Sequence, residues 1–177
     1  MRLFVGLDLP WEIRSELTKL RTSLPGARWV AEESLHLTLR FIGEVTPNQA
    51  EDIDVALHNL RGKKFPLTLT GLGTLSRSGR EISLWAGVER SAALEHLQAK
   101  VETALQRAGL PPERRRFVPH VTLARLDSLV DSRLAAYVQA NNLFRSSTVE
   151  IDHVTLFSSL LGKEAAVYTA EVAYPLA

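Results

Sequence analysis

Between Ser34 and Ile42 apolar and polar residues alternate without a break, Leu35, Leu37, Leu39 and Phe41 on one side and His36, Thr38 and Arg40 on the other. A period of two is that of a strand with one buried face. Arg2–Leu9 is short, apolar and β-leaning, and predicts a first strand. Pro10 suits the opening turn of a helix that carries Ile13, Leu17, Leu20 and Leu24 along one face until Pro25-Gly26 stops it. Gly43 is expected to end the alternating strand, and Thr46-Pro47-Asn48-Gln49 has the form of a capping box for a helix reaching about Leu60. Further strands are expected at Phe65–Thr70 and Glu81–Val88, with a Gly-, Ser- and Arg-rich loop from Gly71 to Arg80 between them. Ser91 opens a helix with Leu94, Leu97, Val101 and Leu105 on its apolar face, closed by Gly109 and Pro111-Pro112. A strand from Phe117 to Leu126, a helix near Ser128–Gln139, and three β-rich stretches at Arg145–Ile151, His153–Ser159 and Ala166–Tyr174 complete the pattern. No connecting segment is long or low in complexity, so the elements predict one compact α+β domain over residues 1–177.

The order strand, helix, His-x-Thr strand, helix occurs at about 2–60 and again at about 81–140. Within it, His36-Leu37-Thr38-Leu39 and His120-Val121-Thr122-Leu123 repeat one pattern 84 residues apart. Residues two apart on a strand share a face, so each motif presents an imidazole and a hydroxyl together. Two such pairs meeting across a cleft suit a phosphodiester. One neutral imidazole takes a proton from the attacking oxygen, one imidazolium gives a proton to the leaving oxygen, and the hydroxyls bond the nonbridging oxygens. Histidine fills either role near neutrality without a metal. His153-Val154-Thr155-Leu156 is a third copy, but it lies outside the repeat and is expected to be structural.

Composition narrows the field. The 177 residues are 45% hydrophobic and 23% charged, with a formal net charge of +1, so there is no global basic field for nonspecific coating of nucleic acid. The absence of cysteine excludes thiol nucleophiles, disulfides and cysteine-ligated metals. His58 and His96 stand on helices without a partner at metal spacing, and no metal site is expected. No apolar run approaches the ~20 residues of a membrane span, and the N-terminus lacks the features of a signal peptide, so the expectation is a soluble cytoplasmic protein. Arg125 lies three residues after Thr122, which puts it on the opposite strand face unless the strand bends. The run Arg114-Arg115-Arg116 reads as a solvated loop, as do Arg77 and Arg80, and Trp29, Phe41 and Tyr168 are aromatic candidates for stacking on a base.

The segments Arg2–Pro10, Arg28-Trp29-Val30, Leu35–Val45, Phe117–Arg125 and Leu156–Leu160 with Tyr168 together resemble the 2H phosphoesterase superfamily. Within it the chain is similar to the RNA 2′,3′-cyclic phosphodiesterases once named 2′-5′ RNA ligases, and the likeness covers essentially the whole sequence. The resemblance implies a bilobal α+β fold, two pseudo-symmetric antiparallel-sheet lobes with helices outside and a central cleft. It implies hydrolysis of 2′,3′-cyclic phosphate RNA ends to 2′-phosphates without cofactor or metal. By the family's usual assignment His36 is the proton donor and His120 the acceptor, with Thr38, Thr122 and Arg125 binding substrate. The family's second motif has the form Pro-His-x-Thr-x-x-Arg, which matches His120 and not His153. The terminal loop, Leu161–Ala166, departs from the pattern by lacking a second glycine. Ligation of 2′-5′ RNA ends by the reverse chemistry, and a non-catalytic RNA- or nucleotide-binding module, are the alternatives. Expected partners are RNA ends or small cyclic nucleotides, with no membrane, no obligate protein partner and a monomeric state.

Overall fold

The computed structural model describes residues 1–127, 132–163 and 165–177, with Glu81 described by its backbone alone. The fold is α+β. In chain order it runs β1 (Arg2–Asp8), α1 (Trp11–Thr18), β2 (Ala27–Trp29), β3 (His36–Glu44), α2 (Pro47–His58), β4 (Phe65–Leu67), β5 (Leu69–Arg77), β6 (Arg80–Val88) and α3 (Ala92–Arg107). There follow β7 (His120–Leu126), α4 (Ser132–Ala140), β8 (Val149–Ile151), β9 (His153–Leu161) and β10 (Ala166–Pro175). The expected helix near Ser128–Gln139 corresponds to α4, and its first residues lie outside those described.

Antiparallel pairing gives the sheet order β10-β9-β1-β3-β7-β6-β5, with β2 added to β7, and β4 pairs separately with β8. The sheet has two halves, and they meet at β3 and β7, where Leu37 pairs with Val121. The two half-sheets are therefore joined edge to edge through the two repeated motifs. Helix faces pack on one side of this sheet. Ile13 and Leu17 of α1, Ile53 and Leu57 of α2, and Leu94, Leu97, Val101 and Leu105 of α3 are buried in the core with Leu37, Leu39, Leu84 and Val121. Burial of a leucine side chain contributes about 1.5–3 kcal/mol, so these stripes hold the helices against the sheet and leave its other face for the cleft. The capping box at Thr46 is present, Thr46 Oγ1 accepting from Gln49 N–H and Gln49 Oε1 from Thr46 N–H.

Several boundaries differ from the sequence pattern. The first helix ends at Thr18, not at Pro25. Beyond it, the N–H groups of Leu20 and Arg21 bond carbonyls only three residues back, that of Leu24 bonds Thr22, and the carbonyls of Leu20 and Thr22 also accept from Tyr137 Oη at 2.6 Å and Trp29 Nε1 at 3.2 Å, so the helix ladder is not continued. The glycine-rich stretch after Gly71 is not a loop: it is most of β5, paired along β6, and the turn is confined to Ser78-Gly79. Both turn residues have positive φ, 54° and 75°, the geometry of the two-residue turn that matches strand twist. The strand expected over Arg145–Ile151 shrinks to β8, with Arg145 forming only an isolated bridge to Thr70. The strand expected from Phe117 starts at His120, and β3 runs through Gly43 to Glu44.

Candidate active site

Leu37 and Val121 are fully buried, so the residues on either side of each turn to the opposite, cleft face. Continuing their antiparallel register by one residue in each direction sets His36 across from Thr122 and Thr38 across from His120. The one pairing of the two half-sheets thus brings the two motifs together, and all four side chains are half-buried.

The two imidazoles are anchored alike. His36 Nδ1 lies 2.8 Å from the Ser34 carbonyl oxygen, and His120 Nδ1 lies 2.7 Å from that of Val118, in each case two residues upstream. A carbonyl only accepts, so Nδ1 carries the hydrogen in both rings, and in the neutral form Nε2 holds the lone pair. His36 Nε2 faces Thr38 Oγ1 at 3.1 Å. The surroundings of the two rings differ. His36 is walled by Phe4, Tyr168 and Phe157, with ring centroids at 4.8, 5.0 and 5.7 Å, whereas His120 has Trp85 at 5.9 Å. Burial among these aromatics lowers the His36 pKa below that of a free histidine; the Ser34 carbonyl opposes the shift, and the charges of Arg125 and His120 add to it.

Past the threonines both strands bulge. On β3, Arg40 pairs with Val5 and Thr38 with Gly6, leaving Leu39 unpaired; on β7, Ala124 pairs with Leu84 and Thr122 with Trp85, leaving Leu123 unpaired. The two bulges are again 84 positions apart. An extra residue reverses the alternation beyond it. The strict alternation expected to place Arg40 beside His36 and Thr38 therefore fails: Arg40 is buried at 7% exposure and Phe41 is exposed at 39%. Arg40 goes under the sheet, where its Nε donates to Glu102 Oε2 at 2.7 Å and its other nitrogens bond the carbonyls of Phe41 and Pro111. The same reversal on β7 returns Arg125 to the face of His120 and Thr122, and it stands exposed there, close enough for its charge to act on His36. The bend left open by the sequence is this bulge.

His153 lies apart from the pair. It begins β9 opposite Pro175, on the far side of β1 from β3, and its Nδ1 is 2.6 Å from Asp152 Oδ1. Arg114, Arg115 and Arg116 are exposed, with Arg115 against Glu113. His58 pairs with Asp54 on α2 at 3.2 Å, and His96 lines a groove between α2 and α3 on the helical side. Among the described residues no three His, Asp or Glu side chains converge as a metal site. Of the aromatic candidates, Tyr168 flanks His36, Phe41 stands beyond the bulge under Arg2, and Trp29 packs on Tyr137 away from the cleft. Pattern reading missed Phe4 and Phe157 as the wall of His36, Trp85 beside His120, and Arg28, which pairs directly across from Arg125. A short strand such as β2 has too few residues to show a period, so Arg28 had no visible face.

Comparison with known proteins converges on one group. Residues 9–163 match the family model of the 2′-5′ RNA ligase superfamily. The RNA 2′,3′-cyclic phosphodiesterase of Aeropyrum pernix is 33% identical over 86% of this chain and 90% of that protein. The Thermotoga maritima protein of the same name is 30% identical over 95% and 91%. Among solved structures, Escherichia coli LigT in its apo form superposes with a TM-score of 0.80 at 28% identity, covering 99% of this chain and 96% of that one. LigT complexed with 3′-AMP gives 0.78 at 27%, covering 99% and 97%. Family model, relatives and fold agree along nearly the full length, and the chain belongs to the 2′-5′ RNA ligase superfamily.

Proposed function

We propose that this chain hydrolyses the 2′,3′-cyclic phosphate at an RNA end, or on a small cyclic nucleotide, to a 2′-phosphate. The observation that carries this is the pair of imidazoles on adjoining strands, each with its Nδ1 hydrogen committed to a main-chain carbonyl and its Nε2 left for proton transfer. The substrate class is supported by the relatives named RNA 2′,3′-cyclic phosphodiesterase.

Water attacks phosphorus in line with the 3′ oxygen, and His120 takes the proton that the water loses. The bond from phosphorus to the 3′ oxygen breaks as His36 gives that oxygen a proton, so one water is consumed and a 2′-phosphate and a 3′-hydroxyl result. Thr38 and Thr122 donate to the nonbridging oxygens, where charge builds, and Arg125 holds the anion from the rim. Burial disfavours a proton on His36 in the empty cleft, and the negative charge of the bound diester restores its proton affinity.

The test is incubation in EDTA with an oligoribonucleotide ending in a 2′,3′-cyclic phosphate, followed by mapping of the product. A 2′-phosphate is expected. A 3′-phosphate reverses the choice of leaving oxygen, and an unchanged end overturns the proposal.

A further inference from the structure

We propose that Trp85 and Arg28 form a subsite for the nucleotide immediately upstream of the one that carries the cyclic phosphate, the indole taking its base and the guanidinium its phosphodiester. The inference rests on the reading of the cleft as an RNA-end hydrolase. It starts from the indole. Trp85 pairs with Thr122, so it stands on the cleft face, and its ring lies 5.9 Å from that of His120. Trp85 also pairs with Gly73 on β5. A Cβ built on Gly73 would stand 2.6 Å from Cη2 and Cζ2 of the indole and 3.0 Å from Cε2, and one on Gly87 would come within 3.4 Å of Cζ3. A ring atom never tolerates a carbon at 2.6 Å, so a bare backbone is what lets the indole lie down on β5. One face of the ring lies against the backbone of β5 at Gly73, and the side chain stays half-exposed beside the His120 imidazole. An indole laid on a sheet and left half-exposed is a stacking platform, and base–aromatic stacking tolerates every base.

The cation is independent of the indole. Arg28 on β2 is directly across from Arg125 on β7, and both are exposed. Like charges facing each other across strands are destabilising in the empty protein. An anion between them turns the repulsion into attraction. Arg125 also pairs with Ser83 on β6, two residues from Trp85, so arginines and indole form one contiguous patch. The patch extends outward from the half of the cleft that holds His120. The equivalent place in the other half is closed, because Phe4, Phe157 and Tyr168 crowd around His36. A strand of RNA leaving the site therefore finds a base platform and a phosphate clamp on one side only.

The experiment compares kcat/KM for a 2′,3′-cyclic mononucleotide and for a dinucleotide with the same terminal nucleotide, using wild type, Trp85→Leu and Arg28→Gln. The expectation is a dinucleotide preference in wild type, which each substitution reduces by about 5- to 50-fold while the mononucleotide value stays within about twofold. Arg28→Gln should also flatten the salt dependence for the dinucleotide by about 0.7 in the log–log slope, the value of one single-strand phosphate contact. Equal losses on both substrates would make these residues part of the general machinery and overturn the subsite, as would no dinucleotide preference in wild type. Fluorescence provides a readout that needs no turnover. The 2′-phosphorylated dinucleotide should quench wild-type emission, and Trp85→Phe, which keeps Trp11 and Trp29, should abolish that quenching. Quenching that persists in Trp85→Phe sinks the platform. A wild type that hydrolyses neither substrate refutes the hydrolase reading, and the quenching titration then judges the subsite on binding alone.

Discussion

An imidazole whose Nδ1 hydrogen is tied to a carbonyl has one nitrogen left for chemistry, and both His36 and His120 are tied in this way. Substitution of either by alanine should lower kcat by about 10² to 10⁴ with the fold intact, measured by single-turnover hydrolysis alongside circular dichroism. The same change at His153, whose ring is turned to Asp152, should leave the rate unchanged. Valine keeps the shape of Thr38 or Thr122 without the donor, so kcat should fall more than KM rises; a pure KM effect would reduce the hydroxyls to ground-state binding. The pH profile of kcat/KM should be bell-shaped, since one ring must be charged and the other neutral. In residual activity His36→Gln should lose the alkaline limb and His120→Gln the acidic one, and the reverse result exchanges acid and base. Because burial lowers the His36 pKa, opening its wall with Tyr168→Ser should raise that pKa and move the limb it controls to higher pH. The same shift bears on stability. A histidine with a lowered folded pKa favours the native state fully above the ordinary value of ~6.5 and loses that contribution as pH falls toward the folded value. Urea midpoints between pH 7 and 5 should accordingly drop less in His36→Gln than in wild type.

At the scale of elements, the bulges at Leu39 and Leu123 decide which side chains meet the substrate. They mark the boundary of what the sequence discloses. The repeated His-x-Thr strands, the apolar stripe of α3 and the capping box at Thr46 all follow from local pattern. A bulge adds one residue without any characteristic residue type, so the exchange of Arg40 and Phe41 between faces was hidden. The glycines of β5 concealed that strand: Gly73 makes room for Trp85 of the neighbouring strand and Gly71 holds a positive φ of 71°, and neither purpose shows in local pattern. Arg40 now has a structural role. Its bond to Glu102 ties β3 to α3, with side chains only 7% and 16% exposed. Removing one partner of such a buried pair typically costs about 3–5 kcal/mol, so Arg40→Ala should lower the urea midpoint by that equivalent while the rate per folded molecule stays near wild type. Burial pushes the Glu102 carboxyl up, but hydrogen bonds from Arg40, Glu113 N–H and Gln106 together hold it below the usual range. Their stabilisation is complete above the ordinary glutamate pKa and disappears as pH falls through the lowered one. Acid unfolding should therefore begin at a higher pH once Glu102 is changed to Gln.

At the scale of the molecule, the two half-sheets share one hydrogen-bonded network through Leu37 and Val121. Thermal unfolding followed by near- and far-ultraviolet dichroism should show a single coincident transition, and separate transitions would mean that the halves fold independently. The placement of β1 affects the timing of synthesis. Its seven residues are made well before β9, yet one flank of β1 is filled by β9, with Arg2 against Ser159. Until β9 and β10 have been made, β1 has an open flank at which a second chain could dock, and two of the three rings around His36, Phe157 and Tyr168, do not yet exist. The wall of His36 therefore cannot form beside the ribosome before β10 has emerged, and chains stalled short of β9 are the ones most exposed to aggregation.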